Sequence, residues 1–396
     1  AGIGCERGTA PDEVIGLLEA TLAESALSPL SLAAVASIDI KADEPALHAL
    51  AAQFGVPLRL FSAAELAAER ERLPNPSPRV EAETGTPGVA EAAALKAGAL
   101  AVEKRKSARA TCAIGIAPAP LDAATFGRAP GVLHLVGIGP GDPAQRTASA
   151  VAALDRSTDW VGYGLYLDLV ADLRRGQSEH RFPLGGEVER TRHALELAGE
   201  GRAVALVCSG DAQIYAMAAL ACELLEGGDL SPAARRVALE VHPGISAVQA
   251  ASAAAGALIG HDFCCVSLSD LLTPRATVLQ RLEGAARGDF VTALYNPRSG
   301  RRTELLAVAC DILRAHRPPA TPVVVARNLG RPEQRVEVTT LAAFDPMTVD
   351  MLTIVLVGAS ASRAFRRGDG RTLAFTPRGY AGKAAADTPH SAGSLA

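Results

Sequence analysis

Apolar and polar positions in this chain follow two alternating periods, one of about two residues and one near 3.6, so the pattern predicts strands and helices in turn. Pro11 to Glu24 carries the helical spacing, with Thr9 placed to cap it and Asp12 and Glu13 in its first turn. Leu32 to Ile38 reads as a strand, Glu44 to Phe54 as a helix stopped by Gly55, Val89 to Ala97 as a helix and Ala110 to Ile116 as a strand. Further on, short apolar runs predict strands at Val132–Val136, Ala203–Cys208, Ala238–His242, Phe290–Tyr295, Val323–Arg327 and Leu352–Gly358, with helices between. Strands alternating with helices imply α/β architecture, and parallel sheets with ligands at the strand C-termini are expected.

Two stretches interrupt the periodicity. Leu73-Pro74-Asn75-Pro76-Ser77-Pro78 is a loop inside the first domain, because patterned sequence resumes on both sides. Residues 119–130, rich in alanine, proline and glycine, read as a semi-stiff linker. The expected division is a small α/β domain over 1–118, the linker, two lobes over 131–243 and 244–380, and a small, polar, disordered tail over 381–396.

Composition narrows the class. The 396 residues are 48% hydrophobic and 21% charged, enough apolar surface for packed cores. A net charge of −4 gives no basic field for nucleic acid, and no apolar run reaches the roughly 18–20 residues of a membrane span. The first residues lack the cationic and apolar regions of a signal peptide. Seven cysteines at irregular spacing support neither a disulfide framework nor a zinc site. A reduced, cytoplasmic protein is expected.

The candidate chemistry lies where strands end. Val136-Gly137-Ile138-Gly139-Pro140-Gly141-Asp142 forces a tight turn and lets a ligand approach the backbone. Its spacing is not that of a dinucleotide loop, and the proline removes an amide that a pyrophosphate would use. Cys208-Ser209-Gly210-Asp211-Ala212-Gln213-Ile214-Tyr215 and His242-Pro243-Gly244-Ile245-Ser246-Ala247 follow two more strands. Asp211, at a strand-to-helix turn, equally reads as a helix cap. Leu294-Tyr295-Asn296-Pro297-Arg298 and Arg327-Asn328-Leu329-Gly330-Arg331 close the series.

In this order, over about Gly131 to Ala364, these motifs resemble the tetrapyrrole (class III) methyltransferase family. Ile259-Gly260-His261-Asp262-Phe263, Ser267-Leu268-Ser269-Asp270-Leu271-Leu272-Thr273-Pro274 and Leu294-Tyr295-Asn296-Pro297-Arg298-Ser299 are similar to the branch acting on C-17 of precorrin-3B. Gly2-Ile3-Gly4-Cys5-Glu6-Arg7-Gly8-Thr9, Ser37 to Glu44 and Gly88 to Leu95 resemble a second cobalamin-biosynthesis family, CobE and the C-terminal domain of CbiG.

The first resemblance implies a two-lobed fold and S-adenosylmethionine as cofactor. Gly139, Pro140, Gly141, Asp142, Ser209, Gly210, Asp211, Ile214, Ser246, Ala247, Asn296 and Leu329 are then the cofactor-binding candidates. Arg275, Tyr295, Arg298 and Arg301 are the candidates for the carboxylate-rich macrocycle, since arginine forks match carboxylates. His242, His261 and Asp262 are candidates for the proton transfers of ring contraction, and His134 reads as a strand-packing residue. The expected reaction is C-17 methylation and ring contraction of precorrin-3B by a homodimer. The alternatives are the cobalt-containing substrate and a non-catalytic tetrapyrrole carrier. In the first domain, Arg7, Thr9, Lys41 and Glu91 are candidates for a polar pocket.

Overall fold

A computed structural model describes residues 1–227, 229–298 and 303–380. Within these, contacts divide the chain into two compact units. One comprises residues 1–136, 151–208 and 216–242, and the other 137–150, 209–215 and 243 onward.

The first unit holds two five-stranded sheets. The N-terminal sheet has the order β3-β2-β1-β5-β4, from β1 (Gly2–Cys5), β2 (Val35–Ile38), β3 (Leu58–Phe61), β4 (Ala99–Lys106) and β5 (Ala110–Ile116). β1, β2 and β3 pair in parallel, and β5 joins β1 and β4 antiparallel. The helix Pro11–Glu24 has proline in its first turn and buries Val14, Leu18 and Leu22 against Ile3, Val35 and Cys112. Each fully buried leucine contributes about 1.5–3 kcal/mol. β4 carries the exposed sequence Glu103-Lys104-Arg105-Lys106 on the sheet edge, where charge discourages pairing with another chain.

The predicted linker is not a free tether. The buried Arg59 donates to the carbonyls of Ala124, Phe126 and Gly127, Leu60 and Arg128 exchange backbone hydrogen bonds, and Arg128 pairs with Asp39 at 2.8 Å. An arginine on β3 thus fixes the segment that composition reads as a semi-stiff linker.

The second sheet of this unit comprises β6 (Val132–Gly137), β7 (Asp159–Tyr163), β8 (Ser178–Phe182), β9 (Ala203–Cys208) and β10 (Ala238–His242), in the order β10-β6-β9-β7-β8. The pairs β10–β6, β7–β8 and β7–β9 are parallel, as expected for α/β sequence. Buried Asp159 joins Arg202 (2.7 Å) and His180 (3.0 Å), and His180 Nδ1 meets His193 Nε2 at 2.9 Å. A buried carboxylate is tolerated here because it is paired.

The second unit departs from the all-parallel expectation. Its main sheet runs β12 (Phe263–Ser267), β13 (Val291–Tyr295), β16 (Thr353–Val357), β14 (Pro322–Arg327) and β15 (Arg335–Thr340). Only β12–β13 is parallel; the other three pairs are antiparallel. Short returns make this possible: β15 follows β14 through the seven-residue connection 328–334, too short for a helical crossover. A smaller sheet pairs β18 (Thr372–Phe375) with β11 (Gly256–Ala257) and β17 (Arg363–Arg366). Residues 381–396, expected as a tail, lie outside the described residues. Among the described residues no helix is long and apolar enough to cross a membrane.

Candidate functional site

The strand ends β6, β9 and β10 lead into three loops that all belong to the second unit. The Gly139 N–H donates to the Gly210 carbonyl at 3.1 Å, and the Gly210 N–H returns to the Gly139 carbonyl at 2.7 Å. A methyl on Gly244 would lie 2.1 Å from the Gly210 oxygen and 2.5 Å from the Gly137 oxygen. One on Gly137 would lie 2.7 Å from the Gly210 oxygen and 2.8 Å from Gly244 N. Three backbones therefore meet with no room for side chains. A methyl on Gly210, in contrast, meets nothing nearer than Ser246 Cα at 3.8 Å and Ala247 N at 4.0 Å. A side chain there would pack in ordinary contact against the start of the helix Ala247–Ala255, so Gly210 is the one glycine of the three that tolerates a methyl sterically.

Asp211 holds the junction together. Its Oδ1 accepts from the N–H groups of Gln213 (2.8 Å) and Ile214 (3.3 Å), and its Oδ2 accepts from Gly244 N–H at 3.1 Å. The carboxylate is buried and engaged by three amides, so it closes the turn ahead of the helix Met217–Gly227 and staples two loops together. Asp142 plays the same local part, accepting from Ala144 N–H at 2.9 Å. Pro140 and Gly141 are buried, Ser209 is half-buried, and Ile214 is 38% exposed.

Arg331 is the residue whose role sequence reasoning missed. Its Nε donates to the Pro140 carbonyl at 3.1 Å and its Nη2 to Ser209 Oγ at 2.9 Å, bolting the first loop to the second. A methyl on Gly141 would strike Arg331 Cγ at 2.7 Å, and one on Gly330 would strike Asp142 N at 2.7 Å. The signal available in the sequence was a lone arginine after Asn328-Leu329-Gly330.

Under the third loop, Tyr295 OH lies 2.6 Å from Ser246 Oγ and accepts from Val248 N–H at 3.1 Å. Tyr215 stacks on Tyr295 at 5.1 Å between centroids and donates to the Cys265 carbonyl at 2.9 Å. Burial pushes both phenols above their ordinary value, so they act as neutral hydroxyls. Asn296 Nδ2 donates to Ser267 Oγ at 3.0 Å. Tyr215, Asn296 and Asn328 all have left-handed backbones, with φ of 53°, 51° and 52°. A tyrosine in that region is uncommon, and such strain gathers at functional sites. The Leu329 side chain packs into the core with Val248 and Ala326.

The remaining candidates fall elsewhere. His261 and Asp262 are exposed, and His261 Nδ1 accepts from the Asp262 N–H at 2.8 Å. Arg275 opens the helix Arg275–Arg287 and reaches Glu304 at 3.5 Å. Arg298 donates from Nη1 to the Met347 carbonyl at 2.6 Å and is half-buried. Arg301 lies outside the described residues. Leu271 and Leu272, in the loop before Thr273-Pro274, are 77% and 99% exposed, an uncovered apolar pair. His242 belongs to the first unit, where its Nε2 lies 3.1 Å from His134 Nδ1. Burial lowers both imidazoles from their ordinary value, so both are neutral near pH 7.

In the first domain the polar candidates separate. Glu91, buried, accepts from Asn75 Nδ2 (2.9 Å), Asn75 N–H and Lys104 N–H, whereas Lys41 pairs with Glu44 and Arg7 with Asp43. These contacts form two networks.

Comparison with known proteins gives the family. Residues 132–345 match the family model of tetrapyrrole (corrin/porphyrin) methylases, and residues 1–115 match that of the cobalamin synthesis G C-terminus. A precorrin-3B C(17)-methyltransferase of Sinorhizobium sp is 40% identical over 256 residues, 64% of this chain and 98% of that protein. A probable cobalt-factor III C(17)-methyltransferase of Salmonella typhimurium is 41% identical over 63% of this chain and 99% of that one. The crystal structure of the methyltransferase CobJ superposes with a TM-score of 0.57 at 41% identity, covering 62% of this chain and 100% of that one.

Proposed function

Since the chain belongs to the tetrapyrrole (corrin/porphyrin) methylase family of S-adenosylmethionine-dependent enzymes, we propose that it methylates C-17 of a precorrin-3-type macrocycle, with precorrin-3B as substrate, and promotes its ring contraction. The observation that supports this most is the junction of Gly137, Gly210 and Gly244, which brings together the three loops that follow strands β6, β9 and β10. Loops joined at strand C-termini fit a cofactor read through their backbone groups, with Ile214 exposed on the second loop.

Bound S-adenosylmethionine would supply an electrophilic methyl: the macrocycle carbon would contribute the electron pair of the new bond, and the pair of the broken sulfur–methyl bond would stay on sulfur, leaving the thioether. The protein's part is therefore placement rather than strong acid–base chemistry, and alignment alone supplies much of such a rate. Asp211 and Arg331 fix the three loops, Ser246 and Tyr295 fix the start of the helix that follows the third loop, and the two tyrosines are neutral. We assign His242 to holding the end of β10 and leave His261 and Asp262 as the proton-transfer candidates. The first domain is assigned an accessory role in the same pathway, and a cytoplasmic homodimer is the proposed assembly.

For the macrocycle we assign the exposed Leu271-Leu272 pair as apolar contact and Arg298 as a carboxylate partner, its second Nη being the one left by the Met347 bond. A partly desolvated arginine–carboxylate contact contributes on the order of 1–3 kcal/mol. Arg298→Ala is expected to raise the Michaelis constant for the tetrapyrrole about tenfold with S-adenosylmethionine affinity nearly unchanged, and Arg298→Lys to recover part of the loss. Steady-state kinetics paired with calorimetry reads both; an equal loss of cofactor affinity would move Arg298 into the cofactor site.

A further inference from the structure

Outside the cofactor loops, one group of side chains has no part in the chemistry above. β10 pairs with β6 in parallel, in the register Glu240↔His134 and His242↔Val136. Side chains two residues apart on a strand share a face, so Glu240 and His242 stand together, with His134 directly opposite Glu240. His134 Nδ1 lies 3.1 Å from His242 Nε2 and 3.2 Å from Glu240 Oε2, and His242 Nε2 lies 3.6 Å from the same oxygen.

We propose that His134 Nδ1, His242 Nε2 and Glu240 Oε2 form a binding site for one zinc ion, with a solvent molecule as the fourth ligand. Three arguments lead there. First, ligands about 2.0–2.1 Å from a tetrahedral zinc are about 3.3–3.4 Å from one another, and the three observed separations bracket that spacing. Second, the chemistry is right: two imidazoles and a carboxylate form a donor set zinc takes when a position is kept for water. Both rings are buried while Glu240 is 49% exposed, so the open position lies on the solvent side. Third, each neutral imidazole can carry its proton on the other ring nitrogen, so all three facing atoms can present lone pairs at once, and one cation accepts a lone pair from each. Arg156, 3.8 Å from Glu240 and 59% exposed, is a surface cation that zinc would displace. The site would pin the last residue of β10, where the chain enters Pro243-Gly244.

The test uses the full chain, stripped of metal and free of any affinity tag, titrated with Zn²⁺ by calorimetry and with Co²⁺ as an optical probe. One equivalent is expected to bind, and Co²⁺ should give tetrahedral ligand-field bands without thiolate charge transfer, which separates this site from the cysteines. Outer-shell changes already weaken metal sites about tenfold to a hundredfold, so loss of a ligand in His134→Gln should weaken binding by at least about a hundredfold. Glu240→Gln, at a half-exposed position that does not threaten folding, keeps a carbonyl oxygen and should weaken binding by at least about tenfold. Zinc should raise the melting temperature of the native chain and leave that of Glu240→Gln much less affected. Absence of a stoichiometric equivalent, thiolate bands with Co²⁺, or unchanged affinity in Glu240→Gln would overturn the proposal.

Discussion

Gly244→Ala is expected to weaken S-adenosylmethionine binding at least about a hundredfold, roughly 2.8 kcal/mol, and to lower the melting temperature. The added methyl would sit 2.1 Å from the Gly210 oxygen and 2.5 Å from the Gly137 oxygen. Neither is the end of a flexible side chain that can swing aside. Relief requires the third loop to move away from the first two, which also stretches the Gly244–Asp211 hydrogen bond. Gly210→Ala separates steric exclusion from disruption. Its methyl has room, so only the left-handed backbone at φ 69° is strained, at a cost of about 1–2 kcal/mol. The fold should survive with the methyl packed against the Ser246–Ala247 backbone, among the loops assigned to the cofactor. Calorimetry and thermal melts on the two variants check this: wild-type affinity in Gly244→Ala would remove the junction from the cofactor site.

Arg331→Ala is expected to reduce cofactor affinity by at least about tenfold, with a smaller loss in Arg331→Lys. Hydrogen bonds from a charged group contribute about 1.5–3 kcal/mol each, and Arg331 makes one to Pro140 and one to Ser209. Lysine keeps the charge and loses the fork, so it can serve one acceptor well but not both in the same geometry. The readout is the dissociation constant of S-adenosylmethionine for the three proteins. Equal affinities would show that the loops are held without this bolt.

The sequence made the fold class legible because the buried strands β6, β9, β13 and β16 are continuous apolar runs bounded by turn residues. It hid the strands that are not. β8 reads Ser-Glu-His-Arg-Phe and β15 Arg-Val-Glu-Val-Thr-Thr; both are edge strands rich in polar residues, and their pattern is too weak to distinguish from a loop. β4 is disguised the same way by its basic run. With β15 unseen, the antiparallel character of the second unit's sheet could not be inferred. The three candidate loops were legible because glycine and proline mark turns locally, and Ser246 because it opens a helix. Arg331 and the His134–Glu240–His242 group were out of reach for a common reason. Their partners lie far along the chain, 191 residues for Arg331 and Pro140 and 108 for the two histidines. Only the strand register and the loop packing bring them together. Asp211 shows a different case: the helix-cap reading fails because the helix starts only at Met217, its Oδ1 closes the turn before it, and the added bond to Gly244 was visible only in three dimensions.

The account's central claim is methyl transfer to a corrin precursor, and incubation of the full chain with methyl-labelled S-adenosylmethionine and precorrin-3B tests it most directly. A parallel arm uses the cobalt-containing macrocycle, because relatives named for both substrates are about equally similar to this chain. The account predicts label transferred to C-17 of precorrin-3B, with one methyl per macrocycle and a ring-contracted product. Transfer only in the cobalt arm would reassign the substrate. Cofactor bound and both macrocycles returned unlabelled would contradict the account and leave a tetrapyrrole carrier in its place.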